Sequence, residues 1–307
     1  MFTPVETGDG SSTFYSETFG EWFHSREGAC DEAQKTYVES SHLAARARGK
    51  SLKILDVCYG LGYNTAAALE MIWQVNPACD VEIVGLEIDI EVAKSAIAQG
   101  LTQSYSPDVQ RVLQYLATKG LAVLPSNVMP NHEHVLKAQL LLGDARQQIQ
   151  PLLAQGWQAD VIFLDPFSPP HCPQLWTVEF IAKVAQCLHP DRGVLVTYSC
   201  AAAVRSALKL AGLTIGSIRA GGRKWPGTLA SYCSMSDCSE ELPSGSQRLS
   251  QQEKEHLQTR AAVPYRDPSQ SATAEEILAR RLKEQSTSEL MPTQPWRLRW
   301  KSKQNSL

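Results

Sequence analysis

Two glycines sit one residue apart in Asp56-Val-Cys-Tyr59-Gly60-Leu-Gly62-Tyr-Asn64, directly after the apolar run Lys53–Val57. Glycine lets a backbone approach a ligand closely and adopt positive φ. A helix starting behind such a turn offers unpaired N–H groups and the positive end of its dipole. Asn64 is the expected N-cap of that helix. Gly-x-Gly alone is also what a tight turn with no ligand looks like. The next apolar run, Val81–Glu87, ends in an acid 31 residues after Asp56. A carboxylate at the tip of a second strand can accept hydrogen bonds from the adjacent hydroxyls of a ribose.

A nicotinamide-binding turn would carry a third glycine where this chain has Thr65, which argues against a dehydrogenase. A third apolar run ends in Leu141-Leu-Gly-Asp144-Ala145, and Asp144 is placed to accept from an adenine amino group. Asp56, Tyr59, Gly60, Gly62, Asn64, Glu87, Asp144 and Ala145 therefore form a candidate site for the nucleoside of S-adenosylmethionine (SAM). A fourth run ends in Phe163-Leu-Asp165-Pro-Phe167-Ser-Pro-Pro170. Methyl transfer from a sulfonium to an amine is an in-line displacement that needs a neutral amine with its lone pair aimed at the methyl carbon. A carboxylate such as Asp165 can accept an N–H, orient the lone pair and take up the proton. Phe167 can cover a flat base by stacking, and the prolines stiffen the loop. The alternative for Asp165 is a cap on the following turn.

These groups need a parallel sheet to bring them together. Strands are predicted at 53–57, 81–87, 138–142, 160–164 and 193–198, with helices at 64–73, 90–98, 108–119, 147–154, 176–187 and 201–210. This alternation predicts an α/β sheet covered on both faces. Two last strands, 214–219 and 228–235, flank a Gly-rich loop and predict a terminal hairpin with an antiparallel final strand. Residues 1–50 read as a Gly-, Ser- and aromatic-rich preface turning helical from about Cys30 to Arg48, residues 51–237 as the catalytic domain, and residues 238–307 as a polar tail. Two capping-box spacings, Ser250…Glu253 and Thr273…Glu276, predict two tail helices lying on the body.

Composition bounds the partners. Apolar residues are 43% of 307, enough for a sizeable core. With 29 basic against 32 acidic residues the net charge is −3, which excludes a polycation but not a local basic strip for phosphates. No apolar run reaches the roughly 20 residues of a membrane span, and the first residues lack the basic and apolar regions of a signal peptide. The eight cysteines include no Cys-x-x-Cys pair, so no metal is expected; Cys233 and Cys238 stand five apart with no partner pair. Reduced thiols and a cytoplasmic location follow. Arg219, Arg223, Lys224 and Trp225 sit in the hairpin loop, and Arg297, Arg299, Lys301 and Lys303 form a basic end. Both are candidate RNA contacts, against the ordinary reading of a solvated face. His24 and Ser25 are candidates to line the substrate side of the site.

Several stretches together resemble a known family: the methyltransferase component of the bifunctional tRNA 5-methylaminomethyl-2-thiouridine enzyme (MnmC) and its stand-alone relatives. They are Thr7–Thr13, Gly20-Glu-Trp-Phe-His-Ser25 with Gly28-Ala29 and Glu32, the Asp56–Asn64 turn, Leu142–Ala145, Phe163–Pro169 with Leu175-Trp-Thr177, and Gly221-Gly-Arg-Lys224. The resemblance implies a class I SAM-dependent, Rossmann-like fold with a mostly parallel seven-stranded sheet. It also implies methylation of the aminomethyl nitrogen of a tRNA wobble uridine, with Gly60, Gly62, Glu87 and Asp144 on the cofactor, Asp165 on the amine, and tRNA as the partner. Rival acceptors are a protein or small-molecule amine, and a further rival is a non-catalytic tRNA-binding protein on the same fold. Two departures stand out. Cys58 replaces the usual first glycine of the turn, and 307 residues cannot also hold the FAD oxidase half. Separate enzymes are then expected to supply the aminomethyl-uridine.

Overall fold

The computed structural model describes residues 2–124, 135–218, 226–232 and 246–304. The chain opens with two small antiparallel hairpins, β1 (Val5–Glu6) with β2 (Ser12–Thr13) and β3 (Tyr15–Ser16) with β4 (Glu21–Trp22). Helix α1 (Ala29–Glu32) runs into a π-helical segment, Ala33–Glu39, followed by α2 (Leu43–Arg46). The helix expected over 30–48 is thus interrupted. His42 takes the left-handed conformation, φ 56°, between its two halves, a conformation no α-helix accommodates. Phe14, Ala33, Tyr37 and Leu43 are fully buried and join the main core.

The central sheet contains β5 (Ser51–Val57), β6 (Asp80–Glu87), β7 (Leu121–Leu124), β8 (Leu136–Leu142), β9 (Val161–Leu164), β10 (Val194–Thr197), β11 (Thr214–Ile218), β12 (Gly227–Ser231) and β13 (Ser246–Gln247), in the order β13-β11-β12-β10-β9-β5-β6-β8-β7. The five middle strands are parallel. Strand β12 runs antiparallel to β10 and pairs with β11, Ile218 opposite Gly227, so the terminal hairpin and its reversed strand are present. Seven strands are expected, and among the described residues the sheet has nine. The additions are the edge strands β7 and β13, both antiparallel to their neighbours. Gly120 caps the preceding helix in a left-handed conformation and turns the chain back along β8; in β7 Ala122 is buried while the larger Leu121 and Val123 are exposed, so this pattern carries little strand signal. Ser246-Gln247 has no strand character of its own and pairs with the open edge of β11.

Both sheet faces are covered. Helices α3 (Tyr63–Val75), α4 (Ile90–Ala98) and α5 (Pro107–Lys119) share one core with the preface. The other core is closed by α6 (Ala145–Gln148), α7 (Gln150–Ala154), α8 (Val178–Gln186) and α9 (Ala202–Leu210). Continuous apolar runs such as Val161–Leu164 are buried throughout, as strands packed on two faces must be. Both predicted capping boxes form, opening α10 (Gln251–His256) and α11 (Ala274–Thr287). A third tail helix, α12 (Thr293–Gln304), was not expected from its polar sequence; Trp296 and Trp300 bind it to α10 by donating to Gln252 O and Glu255 Oε2. The tail lies on the second core through the fully buried Ile277 and through Val178 N–H donating to Tyr265 O at 3.0 Å. Among the described residues no helix is long and apolar enough to cross a membrane, and no group of three or more His, Cys, Asp or Glu could hold a metal ion.

Successive connections carry the chain from β5 outward to β6 and β8, then back to β9 on the opposite side of β5. The crevice beyond the carboxyl ends of β5 and β9 is therefore the topological switch point, where open α/β sheets bind ligands.

Candidate active site

The turn after β5 is built on three left-handed residues, Cys58 (φ 70°), Gly60 (φ 56°) and Gly62 (φ 86°). The first-glycine conformation is thus kept by a cysteine, at a cost of about 1–2 kcal/mol for the Cβ. Cys58 and Tyr59 N–H both donate to Leu86 O at 3.0 Å, binding the turn to β6. The glycines also make room for Tyr59. A Cβ on Gly62 would lie 2.6 Å from the Tyr59 hydroxyl, and one on Gly85 would lie 3.3 Å from its ring. Gly62, not Asn64, is the N-cap of α3. Asn64 lies within the first turn, buried, and turns its amide across the switch point: Nδ2 donates to Asp165 Oδ2 at 2.8 Å.

A cavity of about 560 Å³ opens over these strand ends, bordered by Cys58, Tyr59, Gly60, Glu87, Asp144, Ala145 and Asp165. That volume is within the range of small-molecule sites. Glu87 is 7% exposed. Its Oε2 accepts from Gly60 N–H at 2.7 Å, and its Oε1 accepts from Ile88 and Asp89 N–H at 2.8 and 2.9 Å. Burial raises its pKa while the three backbone donors oppose that. A carboxylate has about four acceptor positions, so one remains, at Oε2, for a ribose hydroxyl.

Asp144 caps α6 by accepting from Arg146 N–H at 2.9 Å. Its carboxylate also takes the Arg146 guanidinium in a fork, with Nη2 at 2.7 Å. Arg146 Nη1 in turn donates to Asp267 Oδ2 at 2.9 Å and to Ala272 O at 3.0 Å, so the tail is tied to the cavity wall beside Asp144. Asp56, Gly62 and Asn64 do not border the cavity. Asp56 is fully buried and accepts from Thr65 Oγ1 at 2.7 Å. It thereby ties β5 to α3 behind the turn, and burial pushes its pKa up to about 7.

Asp165 follows β9 and borders the same cavity as Glu87. Burial raises its pKa well above the carboxylate range. The Glu32 carboxylate adds to the rise, and Tyr37 and Asn64 oppose it. The Tyr37 hydroxyl approaches without reaching hydrogen-bond geometry. The loop beyond is held from three sides. Tyr198 Oη donates to Pro166 O at 2.9 Å, Trp176 Nε1 to Phe167 O at 2.8 Å, and Ser168 N–H to Glu21 Oε2 at 2.7 Å. Phe167 stacks on Phe19 at 4.6 Å between ring centroids and meets the edge of Phe23 at 4.9 Å. One of its faces is therefore already covered by the preface.

His24 and Ser25 border the cavity on the preface side. His24 is buried, its Nδ1 has no partner, and desolvation lowers its pKa to about 4, with Glu32 and Asp9 opposing. The ring is neutral at pH 7. Ser25 N–H donates to Glu32 Oε2 at 2.9 Å. Glu21, Glu32 and Arg146 also border the cavity, and Tyr37 stands behind it. None was singled out as a site residue from sequence, although Glu21 and Glu32 lie inside the preface stretches that carry the family resemblance. Arg219, Arg223, Lys224, Trp225, Cys233 and Cys238 lie outside the described residues. Arg299 of the basic end pairs with Glu255 of α10.

The residues present fit SAM. Glycines keep side chains off the floor, Glu87 and Asp144 offer acceptors, and His24, which also borders the cavity, has a buried Nδ1 without a protein partner.

Comparison with known proteins agrees. Residues 90–233 match the family model described as S-adenosyl-L-methionine-dependent methyltransferase. The solved structure of MnmC2 from Aquifex aeolicus is 31% identical and superposes with a TM-score of 0.75, covering 94% of this chain and 86% of that one. An uncharacterized protein of Methanocaldococcus jannaschii is 29% identical over 275 residues, 89% of this chain and 70% of its own length. The tRNA 5-methylaminomethyl-2-thiouridine biosynthesis bifunctional protein MnmC of Delftia acidovorans is 29% identical over 208 residues, 66% of this chain. The match spans 31% of that bifunctional protein's length.

Proposed function

Because this chain belongs to the MnmC-type SAM-dependent methyltransferases, we propose that it methylates the aminomethyl nitrogen of a tRNA wobble uridine, converting 5-aminomethyl-(2-thio)uridine to the 5-methylaminomethyl form. The name of the bifunctional relatives supports the substrate. The observation that carries the chemistry is Asp165, an acid of raised pKa held by Asn64 at the switch point and bordering the same cavity as Glu87.

Glu87 Oε2 and Asp144 would hold the ribose and adenine of SAM, over the glycine floor at Gly60. When bound, SAM supplies an electrophilic methyl group on a sulfonium. An aminomethyl group is largely an ammonium at neutral pH. Asp165 and Glu32, both bordering the cavity, attract that cation. Asp165 accepts an N–H proton, which frees the nitrogen lone pair, and a carboxylate of raised pKa is the stronger base for this. Asn64 fixes which way the carboxylate faces. Neutral His24 and the Phe19–Phe167–Phe23 wall add no competing charge and exclude water. Separate enzymes supply the aminomethyl precursor.

Mass spectrometry of tRNA nucleosides from cells lacking this gene tests the assignment. Loss of the 5-methylaminomethyl nucleoside with accumulation of its aminomethyl precursor is expected. An unchanged nucleoside profile would reject the substrate and favour a protein or small-molecule amine.

A further inference from the structure

The mouth of the cavity carries a group that the chemistry above does not use. Tyr15 and Trp22 face each other across the β3–β4 hairpin as a registered pair, ring centroids 5.1 Å apart and tilted by 65°. The Arg26 guanidinium lies over the Trp22 ring, 5.5 Å from its centroid. Tyr15 is 44% exposed, Trp22 is half-buried and Arg26 is exposed, and all three border the cavity. The hairpin is locked to the catalytic loop. Glu21 accepts from Ser168, and Phe19 O lies 2.6 Å from His171 Nδ1. These rings are therefore fixed relative to Asp165.

A base inserted deeply enough to reach Asp165 must leave its stack, and its neighbours in the strand are left with unstacked faces at the mouth. Exposed aromatic rings and an Arg plane are the groups that stack on such faces, without regard to sequence, while the guanidinium also attracts the phosphate. We infer that Tyr15, Trp22 and Arg26 form a stacking platform for the single-stranded nucleobase adjoining the one inserted. This rests on the reading of the substrate as a base within an RNA strand. A peptide or small-molecule amine would leave the platform without use. The competing explanation is a cross-strand aromatic pair that only stabilises the hairpin.

The test compares two acceptors, tRNA carrying 5-aminomethyluridine and the free nucleoside 5-aminomethyluridine, in Tyr15→Leu, Trp22→Leu and Arg26→Gln enzymes, with thermal melting of each. The platform predicts that kcat/KM falls about tenfold more for tRNA than for the nucleoside, mainly through KM, and that Trp22→Phe restores most of the loss. Arg26 lies outside the hairpin pairing, so Arg26→Gln answers even where a Leu variant melts early. The measured Kd for an unmodified anticodon stem-loop should weaken in parallel. Equal losses on both acceptors, or lower melting temperatures with stem-loop affinity unchanged, would overturn the platform and leave the methylation itself standing. If the wild-type enzyme methylates neither acceptor, the substrate reading fails and the platform with it.

Discussion

Asn64 Nδ2 donates to Asp165 Oδ2 across 2.8 Å, joining the helix behind the first turn to the loop after the fourth parallel strand. That single bond spans the topological switch point and sets the face that Asp165 presents to the cavity. It also opposes the rise in the Asp165 pKa produced by burial and by Glu32. Removing it with Asn64→Ala should raise that pKa further. The acidic limb of the kcat profile should then move to higher pH while SAM affinity stays within a few-fold. A pH–rate series on wild type and variant checks this.

Asp165→Asn should lower kcat by about 100-fold or more, the usual size of a lost general base, with SAM binding retained. Its stability should move the other way. The folded-state pKa of Asp165 is raised, so the native state binds protons more tightly than the unfolded chain, and stability is lost as pH rises through that range. The uncharged Asn avoids the loss, and its melting temperature at pH 8 should exceed that of wild type by about 2 °C or more. Thermal melts at pH 5 and pH 8 separate the effects, because the gain should shrink at the lower pH.

Asp56 gives the same sign in a window that can be named. Its pKa is about 7 in the fold against 3.8 unfolded, chiefly through burial, with Thr65 opposing. Stability should fall between pH 4 and pH 7 with a slope of at most about 1.4 kcal/mol per pH unit from this group. Asp56→Asn, which keeps an acceptor for Thr65, should flatten the slope. Urea unfolding across that range measures it.

Cys58 holds φ 70° where a glycine would be unstrained. Cys58→Gly should stabilise the protein by about 0.5–1 kcal/mol, the left-handed penalty less the extra chain entropy of glycine. Cys58→Val, β-branched at positive φ, should destabilise it. Melting temperatures of the two variants should therefore lie on opposite sides of wild type.

Asp267 is fully buried and holds Arg146, whose other face grips Asp144 at the cavity. Asp267→Ala should destabilise by about 3 kcal/mol, the cost of breaking a buried ion pair. It should also free the tail for proteolysis and weaken SAM binding several-fold. Limited proteolysis and calorimetry check both.

Much of this arrangement was legible before folding. Continuous apolar runs bounded by Gly and acids gave the parallel strands, and the order of Glu87, Asp144 and Asp165 along the chain gave three acids of the cavity wall, whereas Asp56 is buried behind the turn against Thr65. What escaped had no local signal. Two edge strands form because a neighbour's edge is open, not because Leu121–Leu124 or Ser246-Gln247 favour it. Asn64 fits a cap by type, yet Gly62 takes the cap and Asn64 turns to a carboxylate 101 residues away. Glu21 and Glu32 reach the site through tertiary contacts that no spacing encodes; Arg146 is local to Asp144, but its pair with Asp267 spans 121 residues.

The decisive measurement is an in vitro reaction with purified protein, methyl-labelled SAM and tRNA bearing 5-aminomethyluridine at the wobble position, followed by nucleoside mass spectrometry. One labelled methyl is expected on the aminomethyl nitrogen, absent when the tRNA carries unmodified uridine and strongly reduced in Asp165→Asn. Label that stays on SAM, or that appears equally on the unmodified tRNA, would contradict it.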